Sequence, residues 1–265
     1  PPPPPPPPPR LLRRQRQMCI RDRATRVTYA IFDPDPTITA SIAVNLISAS
    51  GESNNIPDSR VLPVFRVLHA SITTDRVEGY LNSDFGTIVI PDIGFGELSA
   101  YTNIDPLPMP LTLTDVGNSG APVHEAEILV GGNSKHTIFF AGEPGTLSLL
   151  NYRDDARPLE TFPQVRIANM SVNFGGVNVY IQAPGTVIEA TTPIQFIGVP
   201  TQLSTGYLTP EAGTYEITIT QLTELTPIAT PITIDIVDGD IVDIAILDTV
   251  DPAIVDLLIF DSTLP

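Results

Sequence analysis

Tryptophan is absent from the 265-residue chain and cysteine occurs once, at Cys19. A single thiol excludes an intrachain disulfide and any cysteine-based zinc site. Basic residues are scarce and unevenly placed. Of 14 Lys and Arg, seven arginines (Arg10, Arg13, Arg14, Arg16, Arg21, Arg23 and Arg26) fall in the first 26 positions, and nothing from Ile167 to Pro265 is basic. That final stretch carries twelve carboxylates, and the whole chain has a net charge of -16. A surface this acidic repels phosphate backbones and anionic lipid, which argues against nucleic acid as a partner and against direct membrane insertion by the folded part. No apolar run approaches the roughly 20 residues a spanning helix needs. A Gly-rich phosphate loop after a strand, a Gly-x-Ser-x-Gly elbow and a basic patch interleaved with aromatics are also missing.

What is abundant is Val, Ile, Thr, Gly and 29 Pro, the composition of short strands separated by turns. The expected fold class is all-β. The chain has room for two domains of ordinary size, and a repeat supports that division. Val64-Phe65-Arg66-Val67-Leu68-His69-Ala70-Ser71 returns as Val165-Arg166-Ile167-Ala168-Asn169-Met170-Ser171. Arg66 and Arg166, Ser71 and Ser171, Val77 and Val177, Tyr80 and Tyr180 are each 100 positions apart. The pattern places a first copy at 61–160 and a second at 161–265. The link around Asp154 to Pro158 is so short that the copies are expected to touch rather than swing freely.

Two stretches precede the repeat. Pro1 to Pro9 is a homopolymer, and Leu11 to Arg23 resembles translated adapter DNA, so residues 1–23 are expected to be disordered and not native to the protein. A native start carrying an export signal is then expected to be missing. Residues 24–60 read as two strands, Val27 to Phe32 and Ile38 to Ile47, followed by a polar linker from Gly51 to Arg60. Within the first copy, strands are expected at 76–81, 87–90, 95–101, 110–115, 125–130, 136–140 and 147–152, the pattern of a two-sheet sandwich. In the second copy Tyr215, Ile217 and Ile219 share a core face, with Glu216, Thr218 and Thr220 on the wet face. Asp238-Gly239 is expected to turn a hairpin from Ile232–Ile236 into Ile241–Leu247.

Candidate chemistry is sparse. His69 lies two positions before Ser71, which places a base beside a nucleophile, and a hydrolase centred on the pair is a third functional reading. The equivalent residues Asn169 and Ser171 argue for a structural role. Histidine and asparagine both donate and accept hydrogen bonds, but asparagine is no general base. His69, Ser71, Asn169 and Ser171 are therefore expected to tie strand ends to loop backbone. His69, His124 and His136 lack paired ligand spacing for a metal. Asp235, Asp238, Asp240 and Asp243 form the densest carboxylate cluster, a candidate calcium site without the EF-hand order. Asn169-Met170-Ser171 fits a glycosylation sequon.

Three motifs carry a family resemblance: Arg-Val-x-His-Ala-Ser from Arg66 to Ser71, Val-x-x-Tyr at Val77 to Tyr80 and again at Val177 to Tyr180, and Ala-Gly-Thr-Tyr from Ala212 to Tyr215. Over about residues 61–265 the chain resembles the bacterial family called domain of unknown function 4397. The first copy departs from the last motif, with Met109-Pro110-Leu111-Thr112 near that place, and the second has Asn169 and Met170 where the first has His69 and Ala70. The resemblance implies two tandem antiparallel β-sandwich domains, immunoglobulin-like or transthyretin-like, exported to the cell surface or periplasm, with no established activity. The leading expectation is a non-catalytic binding or spacer module with a protein or glycan ligand and no cofactor. The alternative is a calcium-stabilised carbohydrate- or protein-binding domain.

Overall fold

The computed structural model describes residues 18–21, 26–32, 43–47, 53–56, 62–105, 108–131, 134–154, 159 and 161–262. The segment from Pro1 to Gln17 and the Asp33-Pro34-Asp35-Pro36 break lie outside the described residues. The chain divides into two compact units, residues 1–62 with 131–133 and residues 63–130 with 134–265. In the first unit β1 (Met18–Arg21), β2 (Arg26–Phe32), β3 (Ala43–Ile47) and β4 (Ser53–Ile56) form an antiparallel sheet in chain order. β1 falls within the stretch expected to be disordered. β4 falls in the expected linker, where pairing with β3 overrides the weak strand preference of Ser53, Asn54 and Asn55.

Among the described residues the second unit holds sixteen strands in two sets of eight. The first set is β5 (Val64–His69), β6 (Val77–Leu81), β7 (Ile90–Ile93), β8 (Thr102–Asn103), β9 (Met109–Asp115), β10 (Pro122–Ile128), β11 (Lys135–Ala141) and β12 (Ser148–Arg153). The second is β13 (Gln164–Asn169), β14 (Gly176–Gln182), β15 (Phe196–Pro200), β16 (Leu203–Ser204), β17 (Gly213–Gln221), β18 (Ile232–Ile236), β19 (Ile241–Asp248) and β20 (Val255–Asp261). Sheet β10-β9-β6-β7 covers sheet β12-β11-β5-β8, and β18-β17-β14-β15 covers β20-β19-β13-β16 with the same topology. All-β tandem sandwiches are thus the architecture. The pairing is antiparallel except that β5 runs parallel to β11, and β13 to β19. Among the described residues no helix is long and apolar enough to cross a membrane.

Each sandwich has its own core. Phe65 and Val67 from β5 meet Val77, Leu111 and Leu113 from the facing sheet, and Val165 and Ile167 meet Val177, Ile217 and Ile219 in the second. The residues between them in sequence do not face water. β13 is buried along its whole length and β5 at every residue but Val64. Their second faces carry Leu68, Ala70, Ala168 and Met170 into a third cluster with Phe139, Ala141, Ala245, Leu247 and Phe260. That cluster is where the two sandwiches pack on each other, which explains why simple alternation does not describe these strands. The expectation of one wet face also fails on β17, where Thr218 and Thr220 are buried.

The turn at Asp238-Gly239 forms, with Gly239 at φ 91° and the Asp240 N–H on the Val237 carbonyl. It makes no hairpin. β18 pairs with β17 in one sheet, whereas β19 pairs with β13 and β20 in the other, so the turn is a corner between sheets. A tight turn in sequence specifies a reversal of the chain and leaves the pairing partner to the rest of the fold.

Candidate functional site

Arg66 sits opposite Thr137 on β11, and Arg166 sits opposite Asp243 on β19. Thr137 and Asp243 are therefore equivalent positions. Asp154, just after β12, bonds through its N–H to the Lys135 carbonyl, and Ser262, just after β20, bonds the same way to Ile241, which makes that pair equivalent too. These six residues close a ring across the two sandwiches. Arg66 Nε donates to Thr137 Oγ1 at 2.9 Å, and Thr137 Oγ1 donates to Asp154 Oδ2 at 2.5 Å. Arg166 Nη2 donates to Asp154 Oδ1 at 2.5 Å and to Asp243 Oδ2 at 2.8 Å, while its Nε reaches Asp243 Oδ1 at 2.5 Å. Ser262 Oγ donates to Asp243 Oδ2 and accepts from Arg66 Nη2 at 2.6 Å.

The arrangement is a pseudo-two-fold with one exchange. The first copy has its hydroxyl on the strand and its carboxylate after β12, and the second has them the other way round. Two arginines and two aspartates give a neutral set, and all six members are buried. Neutrality matters because an unpaired charge taken out of water costs several kcal/mol, roughly, before any compensation. Burial pushes the Asp243 carboxyl up, against the opposing pull of Arg166. The guanidiniums also lie against rings: Arg66 is 4.5 Å from the Tyr101 centroid and 5.0 Å from Phe260, and Arg166 is 4.9 Å from Tyr207. Burial, reinforced by nearby carboxylates, pushes both tyrosine hydroxyls up, so they stay neutral. Tyr101 donates to Asp154 Oδ2 at 3.1 Å. The Tyr207 hydroxyl is buried and has no hydrogen-bond partner among the described residues.

The sequence-predicted residues lie elsewhere, with one exception. His69 is fully buried, its Nε2 donating to the Asp75 carbonyl at 2.9 Å and its ring edge-on to Phe140 at 5.1 Å. Ser71 Oγ donates to the Gly142 carbonyl at 2.7 Å. Asn169 Nδ2 donates to the Val199 carbonyl at 3.0 Å, and its Oδ1 accepts from the Ser171 N–H at 3.2 Å. The sequon is thus closed inside the fold. Ser171 Oγ donates to Asp248, which also takes the Val172 N–H and Asn173. His124 lies 6.4 Å from Phe140, while His136 is held by Asn151 and Ser134. The four aspartates diverge from the corner: Asp235 bonds Thr214 on one sheet, Asp238 stays in the turn, Asp240 accepts the Val237 N–H, and Asp243 enters the ring. Among the described residues no three His, Cys, Asp or Glu side chains are grouped to hold a metal ion.

Burial lowers the His69 imidazole from its usual 6.5. A lowered base refuses the proton that the unfolded chain accepts, so stability is expected to fall as pH drops below about 6.5. His69→Asn, the residue the second copy uses, should flatten that slope. Urea unfolding at pH 7 and pH 5 checks it, and an unchanged difference between the two pH values would count against the assignment.

Only the Arg66 and Arg166 repeat and Asp243 were visible beforehand. Thr137, Asp154, Ser262, Tyr101 and Tyr207 were missed. The available signal was the exchange of hydroxyl and carboxylate at equivalent positions, which requires the strand register to be known.

Fold and site together define a tandem β-sandwich protein whose copies are joined face to face through a buried polar ring. Residues 64–180 match the family model described as Domain of unknown function (DUF4397), which supports the family resemblance. The match runs through the first copy and ends in β14 of the second. No curated protein matches the sequence. Among solved structures, CBMbc (family CBM26) from Eubacterium rectale Amy13K in complex with maltoheptaose is 13% identical, with a TM-score of 0.25, over 76% of this chain and 98% of that one. The Bacillus anthracis TIE protein is 10% identical with a TM-score of 0.24, over 84% of this chain and 41% of that one. A structure of alpha-glucan binding by a streptococcal virulence factor is 8% identical with a TM-score of 0.26, over 69% and 92%. Likenesses of this depth carry no argument about ligand.

Proposed function

We propose that the tandem sandwich is a rigid, non-catalytic module of an exported or cell-surface protein, holding its loops in fixed relative positions for a protein or glycan ligand. The observation that carries this reading is the ring: six buried side chains from both copies in one neutral hydrogen-bonded circuit. Such a circuit tolerates one relative orientation of the copies, because rotation would strand buried charges. The polar residues at the strand ends support the non-catalytic part. His69 and Ser71 each bind backbone carbonyls and are closed to solvent, so neither is placed to meet a substrate.

The test is a distance distribution between spin labels at the exposed positions Val116 and Val250, with Cys19 replaced by Ser. One narrow peak is expected. A broad distribution would remove the rigid module. Turnover in a hydrolase screen that His69→Ala abolishes without unfolding would remove the non-catalytic reading.

A further inference from the structure

β12 and β20 are the last strands of their copies and lie at sheet edges, paired among the described strands with β11 and β19 alone. An edge strand opens from its free end, one backbone pair at a time, so the residue leaving the sheet is where fraying begins. In each copy that place is held by an arginine of the other copy. Arg166, on β13, holds the Arg153 carbonyl through Nη1 at 2.9 Å and the Asp154 carboxylate through Nη2 at 2.5 Å. Arg66, on β5, holds the Asp261 carbonyl through Nη1 at 3.2 Å and Ser262 Oγ through Nη2 at 2.6 Å. The grip is reciprocal, residue for residue, as in an isologous interface.

The strands that carry the arginines are also the first of each copy. Tension entering the chain at β5 or β13 is thus passed to the closing strand of the opposite copy. Opening either closing strand also exposes the third apolar cluster, since Leu150 and Tyr152 of β12 and Leu258 and Phe260 of β20 all pack in it.

We propose that the two copies are interlocked. Each copy's closing strand is anchored by the other copy's arginine, so the sandwiches open together and share load applied along the chain. This rests on the rigid-module reading and deepens it by naming the element that resists peeling.

Native-state hydrogen exchange on the full chain tests it. In Arg66→Gln, amides of β20 are expected to exchange about tenfold faster or more, with β12 less affected. Arg166→Gln should give the opposite pattern. Faster exchange confined to the closing strand of the substituted copy would overturn the interlock. Arg66→Lys and Arg166→Lys keep the charge while losing the forked contact, and they provide the same crossed readout if the glutamine variants do not fold. In the unaltered chain, β12 and β20 should lose protection at one urea concentration. Two separate transitions would overturn the interlock, and with a narrow spin-label distance they would leave the rigid module standing.

Discussion

Replacing Arg166 by Leu is expected to cost about 3–5 kcal/mol of unfolding free energy at neutral pH, the range typical of breaking a buried ion pair. The side chain is only 5% exposed, and it faces Asp154 at 0% and Asp243 at 2%. Its loss leaves two buried carboxylates with Arg66 as the remaining cation of the ring. The Asp243 carboxyl, already raised by burial, would rise further without its main opposing partner. A carboxyl raised in the folded state contributes stability that is present below the unfolded value, near 3.8, and lost as pH climbs through the folded one. The deficit of the variant relative to the unaltered chain should therefore be largest at pH 7 and narrower at pH 4.5. Urea unfolding at both values measures it. A deficit below about 1 kcal/mol, or one that does not narrow in acid, would show that the ring is not a coupled charge set.

The second large effect is expected at Phe139. It is 1% exposed, lies 5.7 Å from the Tyr152 ring and 6.4 Å from Phe260, and sits in the cluster shared by the copies. Phe139→Ala should cost about 3–5 kcal/mol through lost transfer energy and a cavity that a packed two-sheet joint cannot close. The position is informative because the repeat does not preserve it: Ala245 is its equivalent. The same exchange of large and small occurs at Leu68 and Ala168, Ala70 and Met170, and Ala141 and Leu247. The two faces are thus alike in backbone and different in relief. Equilibrium unfolding monitored by tyrosine fluorescence reads the cost. A loss below about 1 kcal/mol would mean that the sandwiches touch without sharing a core.

Much of the fold was legible because local chemistry acts over a few residues. β-branched and aromatic runs bounded by Pro, Gly, Asn and Asp marked β5, β6, β9, β11, β17 and β19 nearly to their ends. Polar or short elements were misplaced. The expected strand at 95–101 reduces to a single bridge at Leu98, and β15 and β16 were not anticipated. Leu98 and β16 supply only one or two paired residues, and their partners lie far back in the chain, at Leu68 and at Ala168 and Asn169. In β15 the strand formers Phe196, Ile197 and Val199 are interrupted by Gly198 and Pro200, so its pairing with β14 does not show as a clean run. The Asp238-Gly239 corner shows the same limit, since its reversal was legible and its sheet change was not.

The chain's residues alone determined an all-β tandem, its repeat register from Arg66 to Tyr180, and an acidic character that disfavours nucleic acid. These depend on composition, spacing and charge, which are properties of the unfolded string. Tertiary structure alone decided that the second face of β5 and β13 is dry, that Asp243 leaves its neighbouring aspartates to meet Arg166, and that Asp154 and Ser262 complete one ring. The physical reason is that burial and charge pairing are set by what lies across a sheet or an interface, at separations of 12 to 196 residues in this ring. No local periodicity encodes such a partner.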